Sequence, residues 1–137
     1  MPKPMKCSPF SSYLIEKYGF PQDKLLFAGL VNGKNIWKNH YEKTLKTLAV
    51  LKEKNIRTIL STSCSLLHVP YTVKHEEKLS QEYLSHFAFA EEKLMELQEL
   101  SVLADLKDYE SEIAYTDNQK LFAEKRDCEN AEVKQRL

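Results

Sequence analysis

A chain of 137 residues can fold as one domain with a hydrophobic core but is too short for a complete eight-fold α/β barrel. Its 20 Lys and Arg balance its 20 Asp and Glu, so no global charge favours nucleic acid or an anionic membrane as partner. Cys7, Cys64 and Cys128 are far apart with no C-x-x-C pair, which argues for a reducing, cytoplasmic compartment and against a disulfide framework or zinc knuckle.

The N-terminal MPKPMKCSPFSS lacks the apolar core of a signal peptide, and no segment approaches the roughly 20 apolar residues of a membrane span. Residues 1–9 hold three of the five prolines, which fix φ and remove donors, so they read as a tail or linker. Tyr13, Leu14, Ile15 and Tyr18 can then line one face of a short helix that Gly19 stops. Residues 25–31, LLFAGLV, form a continuous apolar run, the pattern of a strand buried on both faces of a parallel sheet. Asn32-Gly33 breaks it. From about Asn39 to Lys54, the positions Tyr41, Leu45, Leu48 and Leu51 recur at helical spacing among lysines and glutamates, which predicts an amphipathic helix.

After the single polar Asn55, residues 56–62, IRTILST, are β-branched and apolar. Strand, helix and strand make a βαβ unit, whose parallel sheet must be covered by helices. The stretch 61–76 is therefore the loop at the carboxyl end of a parallel strand, where α/β folds place their chemistry. From Ser80 as N-cap, with Glu82 in the first turn, one long helix is predicted to about Ala104. Its stripe is Leu79, Tyr83, Phe87, Ala90, Leu94, Leu97, Ser101 and Ala104, with Phe89 off it. Residues 105–137 are rich in charge, with Tyr115, Leu121 and Phe122 as anchors for one or two short helices. Two strands alone do not make a stable sheet in water, so the α/β unit reads as incomplete.

Two loops carry the candidate residues. In the first, formed by Asn32, Gly33, Lys34, Asn35 and Trp37, Asn-Gly supplies a sharp turn, Trp37 is an amphipathic anchor for packing at the rim, and Lys34 is a lone exposed lysine. The second contains Ser63, Cys64, Ser65 and His68. Zinc needs three or four ligands on rigid supports, and Cys64, His68 and His75 share one loop with no H-x-C, C-x-x-C or H-E-x-x-H, so no metal site is predicted. A Cys64 nucleophile activated by His68 would lack both an orienting third group and a glycine oxyanion hole, so no catalytic residue is predicted either. The packed reading suits the stretch: Ser61, Thr62, Ser63 and Ser65 satisfy backbone groups at the strand end, Leu66 and Leu67 pack beneath, and Pro70 ends the loop.

The segments GLVNGKNIWKN (29–39), STSCSLLHVPYTV (61–73) and FAFAEEKLMELQEL (87–100), followed by NAEVKQRL (130–137), closely resemble the amino-terminal barrel of cobalamin-independent methionine synthase. The resemblance implies a family with two facing (β/α)8 barrels and zinc-dependent methyl transfer from 5-methyltetrahydropteroyl-polyglutamate to homocysteine. By it, residues 10–104 are the last two βα units of a partial (β/α)8 barrel with parallel strands, and 105–137 a helical or partly ordered extension resembling the connection to the second barrel. The family's zinc ligands and catalytic acid lie in that second barrel, outside this sequence, so the resemblance implies no cofactor in this chain and zinc in the full-length protein. Cys64 looks like the counterpart, in the duplicated barrel, of a zinc cysteine, and thus a relic without metal. Asn32, Lys34, Asn35, Trp37, Ser63, Cys64, Ser65 and His68 would lie at the face that meets the second barrel. The expected partner is the remainder of such a synthase chain or a homo-oligomer, and the chain alone is expected to be inactive. The alternative is an interaction module, a truncated duplicate that docks on a partner or self-associates.

Overall fold

The computed structural model describes residues 9–124. Cys7, Cys128, most of the N-terminal tail and the NAEVKQRL segment lie outside the described residues. In chain order the elements are α1 (Pro9–Tyr18), β1 (Leu26–Val31), α2 (Tyr41–Glu53), β2 (Thr58–Thr62), α3 (Gln81–Leu84), α4 (Ala90–Asp105) and α5 (Ile113–Ala123). Single 3-10 turns stand at Leu66–His68, Val73–His75 and Tyr109–Ser111. The fold is mixed α/β. Its sheet is the parallel pair β1-β2, in register through Leu26↔Thr58, Phe27↔Ile59 and Ala28↔Leu60, with an irregularity between Gly29 and Val31.

Local chemistry accounts for the βαβ unit. Gly19 ends α1 at φ 77°, its amide donating to the Ile15 carbonyl at 2.9 Å. Asn55 closes α2 at φ 55°, a left-handed conformation that asparagine tolerates better than most side chains. Its amide donates to the Lys52 carbonyl at 3.0 Å, and the Ile56 amide reaches back to Leu51 at 3.1 Å. That double closure is a Schellman motif, and its apolar partners Ile56 and Leu51 share one buried cluster with Ile15, Leu26 and Ala28. Thus the residue that ends the helix also aims the chain into β2.

A second cluster joins Val31 with Tyr41 and Leu45 of α2 and Leu100 and Leu103 of α4. The helices cover one face of the sheet. On the other, Phe27 and Ile59 stand opposite one another, each 43% exposed, which corrects the expectation of strands buried on both faces. The apolar run has the composition of a doubly covered strand, but the described residues supply cover for one side only.

The single helix expected from Ser80 to Ala104 is also corrected. Ser80 does precede a helix, but α3 is one turn long, and the chain leaves helical geometry before α4 begins at Ala90. Non-local bonds hold the break: the Ala88 amide donates to the Ile36 carbonyl at 2.7 Å and the Lys38 amide to His86 at 3.0 Å, making an antiparallel bridge between Trp37 and Phe87. The apolar stripe shifts accordingly. Leu79, Tyr83 and Leu94 are exposed, while Lys93, Glu96, Leu100 and Leu103 form the buried face of α4.

Candidate functional site

The loops at the carboxyl ends of β1 and β2 are locked together by backbone chemistry. The Ser63 amide donates to the Val31 carbonyl at 2.8 Å, and the Gly33 amide donates to Ser63 Oγ at 3.1 Å. A Cβ on Gly33 would stand 2.6 Å from the Cys64 carbonyl oxygen and 3.0 Å from its Sγ, so glycine is what allows the loops to touch. Asn32 shapes the turn, its Oδ1 accepting from the Lys34 amide at 2.8 Å and the Asn35 amide at 3.1 Å. The two sets of sequence candidates therefore meet at Gly33, Ser63 and Cys64.

Beyond that meeting point the expected residues separate. Ser65 Oγ accepts from the Leu67 amide at 3.3 Å, opening the turn that carries an exposed His68. Cys64 Sγ donates to its neighbour's carbonyl, Ser65 O, at 3.6 Å. Among the described residues no three His, Cys, Asp or Glu side chains gather as a group that could hold a metal ion. The described residues therefore do not fit zinc. Lys34 is exposed, and Trp37 packs its ring against Phe87 at a centroid distance of 5.2 Å while remaining partly open to solvent.

What fixes this loop is a buried polar network that the sequence analysis did not single out. Lys93 is only 1% exposed, and its Nζ donates to Asn35 Oδ1 at 3.3 Å and to the Trp37 carbonyl at 3.1 Å. One turn on, Glu96, 5% exposed, accepts the Asn39 amide at 2.8 Å. Asn39 is the hub: its Nδ2 donates to the Leu30 carbonyl at 2.9 Å, beside the irregularity in β1, and its Oδ1 accepts from Thr44 Oγ1 at 2.7 Å. Its carbonyl accepts Nδ2 of Asn118 at 2.8 Å, and Asn118 Oδ1 in turn accepts the Tyr41 amide at 3.0 Å. All four polar atoms of Asn39 are thus engaged, tying β1, α2, α4 and α5 at one point.

Burial sets the electrostatics. Desolvation pushes the Lys93 ammonium below its ordinary pKa, opposed by the neighbouring Glu96 charge. Burial likewise pushes Glu96 above the usual carboxylate range, opposed by the Asn39 N–H and by Lys93 and Lys38. The Tyr41 hydroxyl is raised by burial and by donating to Glu99 Oε2. A cleft of about 400 Å³ beside this network is lined by Lys38, Tyr41, Glu92, Glu96, Glu99 and Asp117 among others. Three of its carboxylates are already used within the fold, since Glu92 accepts from Thr72 Oγ1 at 2.7 Å and from the Phe89 amide at 3.1 Å, while Glu96 and Glu99 serve as above. A signal for Lys93 and Glu96 was present: continuing the Leu103 and Leu100 spacing back up the helix lands on both.

Comparison with known proteins adds the family context. Residues 9–56 match the model described as cobalamin-independent synthase, N-terminal domain. Over 124 residues the chain is 52% identical to the 5-methyltetrahydropteroyltriglutamate--homocysteine methyltransferase of Lactococcus lactis subsp. lactis (strain IL1403), covering 90% of this chain and 16% of that relative. The like-named protein of Campylobacter jejuni subsp. jejuni serotype O:23/36 (strain 81-176) is 48% identical over 124 residues, with the same coverage. The chain thus spans 16% of the length of the curated relatives it matches.

Proposed function

Because the chain belongs by sequence to the cobalamin-independent methionine synthase family, we propose that it is a structural segment of such a synthase's N-terminal barrel. In this reading the whole protein transfers a methyl group from 5-methyltetrahydropteroyltriglutamate to homocysteine in methionine biosynthesis in the cytoplasm. The observation that carries it is 52% identity across 90% of the chain. The described residues contribute scaffold: Lys93, Glu96 and Asn39 set the 35–39 loop, and Gly33, Ser63 and Cys64 join it to the loop after β2. In the full-length enzyme zinc would supply the Lewis acidity that favours the thiolate form of homocysteine, held by ligands outside this chain, to which Cys64 and His68 would contribute none. The segment's partner is the rest of the synthase polypeptide.

The test is a graft. This sequence replaces its homologous 124-residue stretch in the Lactococcus lactis relative, and methionine formation is assayed for the graft and for the chain alone. The expected result is turnover by the graft and none by the chain. A soluble, folded graft without activity, or turnover by the isolated chain, overturns the proposal.

A further inference from the structure

The two ends of the sheet differ in what they offer a ligand. At the carboxyl ends of the strands the Gly33 and Ser63 loops close on each other. At the opposite end, where β2 begins, a cavity of about 580 Å³ lies between α2, α4 and the first residues of β2. It follows the seam between the two buried clusters, with Leu45, Leu48, Ala104 and Tyr109 from one and Ile56 from the other. The small side chains of Ala49 on α2 and Ala104 on α4 leave its volume unfilled. Pockets that hold small organic ligands measure roughly 300–1,000 Å³ and are mostly apolar, with a few polar groups that fix orientation. The lining residues fall within 45–58 and 104–109, so the walls are built by this chain.

The rim is basic. Lys52 from the last turn of α2, Arg57 just ahead of β2 and Lys107 just past α4 line it, against one carboxylate, Asp105. Among the described residues none of these three cations forms an ion pair or donates a side-chain hydrogen bond. The carboxyl ends of α2 and α4 border the cavity and would by themselves favour a cation. Their carbonyls, however, are occupied: Val50, Leu51 and Lys52 accept from the Lys54, Ile56 and Asn55 amides, and Leu103 accepts from Leu106. With these acceptors spent and the side-chain donors unspent, a negative group is what the rim can pair.

We infer that this cavity binds a small amphipathic organic anion, its aromatic or acyl body on Leu45, Leu48, Ile56 and Tyr109 and its charged head against Arg57, Lys52 and Lys107. The site lies at the far end of β2 from Ser63 and Cys64, and it goes beyond the scaffold role proposed above.

The test titrates the 137-residue chain with anilinonaphthalene sulfonate, a fluorescent aromatic anion, and with phenylnaphthylamine, a neutral counterpart without the sulfonate. The sulfonate is expected to bind at one site per chain, about tenfold tighter than the amine, and more weakly as salt is raised. Arg57→Gln and Lys107→Gln are each expected to weaken it several-fold and Asp105→Asn to tighten it. Ala49→Trp, which fills the cavity from an exposed helix position, is expected to abolish binding with the circular dichroism unchanged. Phe27→Lys, on the uncovered face of the sheet, is expected to have no effect. Naphthoate and naphthyl phosphate, added as competitors, show whether the rim prefers a carboxylate or a phosphate head. Equal affinity for the sulfonate and the amine overturns the inference, because a plain apolar groove would then be enough. So does full affinity in both Arg57→Gln and Lys107→Gln, loss of binding in Phe27→Lys, or failure of both competitors to displace the sulfonate. Methionine formation by the graft tests the family reading separately, and none of these outcomes alters it.

Discussion

Asn39 concentrates more of the fold than any residue the hydropathy pattern singles out. Its side chain makes two hydrogen bonds, to Leu30 O and from Thr44 Oγ1, and its removal strands a carbonyl beside the irregularity in β1. Two lost bonds and one unsatisfied acceptor together cost about 2–4 kcal/mol, so Asn39→Ala is expected to shift the urea midpoint strongly. An unfolding curve that overlays the parent's would remove Asn39 from its place as hub. Glu96 gives the pH dependence at the same scale. Its folded pKa is raised by burial, so between the ordinary carboxylate value and that raised value the folded state holds a proton the unfolded chain has released. The stability it contributes is complete below the unfolded pKa and fades as pH rises through the folded one. Glu96→Gln is expected to flatten this decline in unfolding free energy measured across mildly acidic pH, and an unchanged slope would count against it. Asn39 was not legible as buried, because an amide among lysines reads as solvated surface until its non-local partners are known, and Glu96 was legible only through the helical spacing that leads back from Leu103 and Leu100.

The elements divide by what determines them. The βαβ unit was readable because its periods are local: a continuous apolar run, a 3.6-residue spacing, and an Asn55 that ends the helix through bonds to its own last turn. The break between α3 and α4 was not, since SHFAFAEE contains no proline or glycine and nothing local interrupts a helix there. It is imposed from a distance, by Ile36 and Lys38 pairing with the 86–88 backbone and by Glu92. Glu92 reaches back to the Phe89 amide at 3.1 Å, satisfying a helix-start donor, and also accepts from Thr72 Oγ1 and the Val73 amide. One side chain thus starts α4 and pins the 72–73 turn to it. Glu92→Ala is expected to cost about 1–2 kcal/mol and to speed amide exchange at residues 89–93 and 73–75 together. Faster exchange at only one of the two segments would separate the jobs assigned to it.

At the scale of the whole molecule, the two halves of the core differ in how completely they are enclosed. Tyr41, Leu45, Leu100 and Leu103 are buried between α2 and α4, with Tyr109 and Tyr115 packed edge to face at a centroid distance of 5.1 Å beside them. The sheet is enclosed on one face, and its strands are joined by a single ladder. Parts of a protein with few buried contacts and open backbone edges unfold locally at lower free energy than enclosed helices. In the isolated chain, the amides of Leu100 and Leu103 are therefore expected to exchange only through global unfolding. Those of β1 and β2 are expected to exchange faster, through an opening of the sheet that leaves α2 and α4 packed. Hydrogen exchange followed by mass spectrometry at increasing urea reads this directly, because local opening is insensitive to denaturant and global unfolding is not. Strand amides as slow as those of Leu100, with the same urea dependence, would mean that the two strands are stable without the neighbours their composition demands.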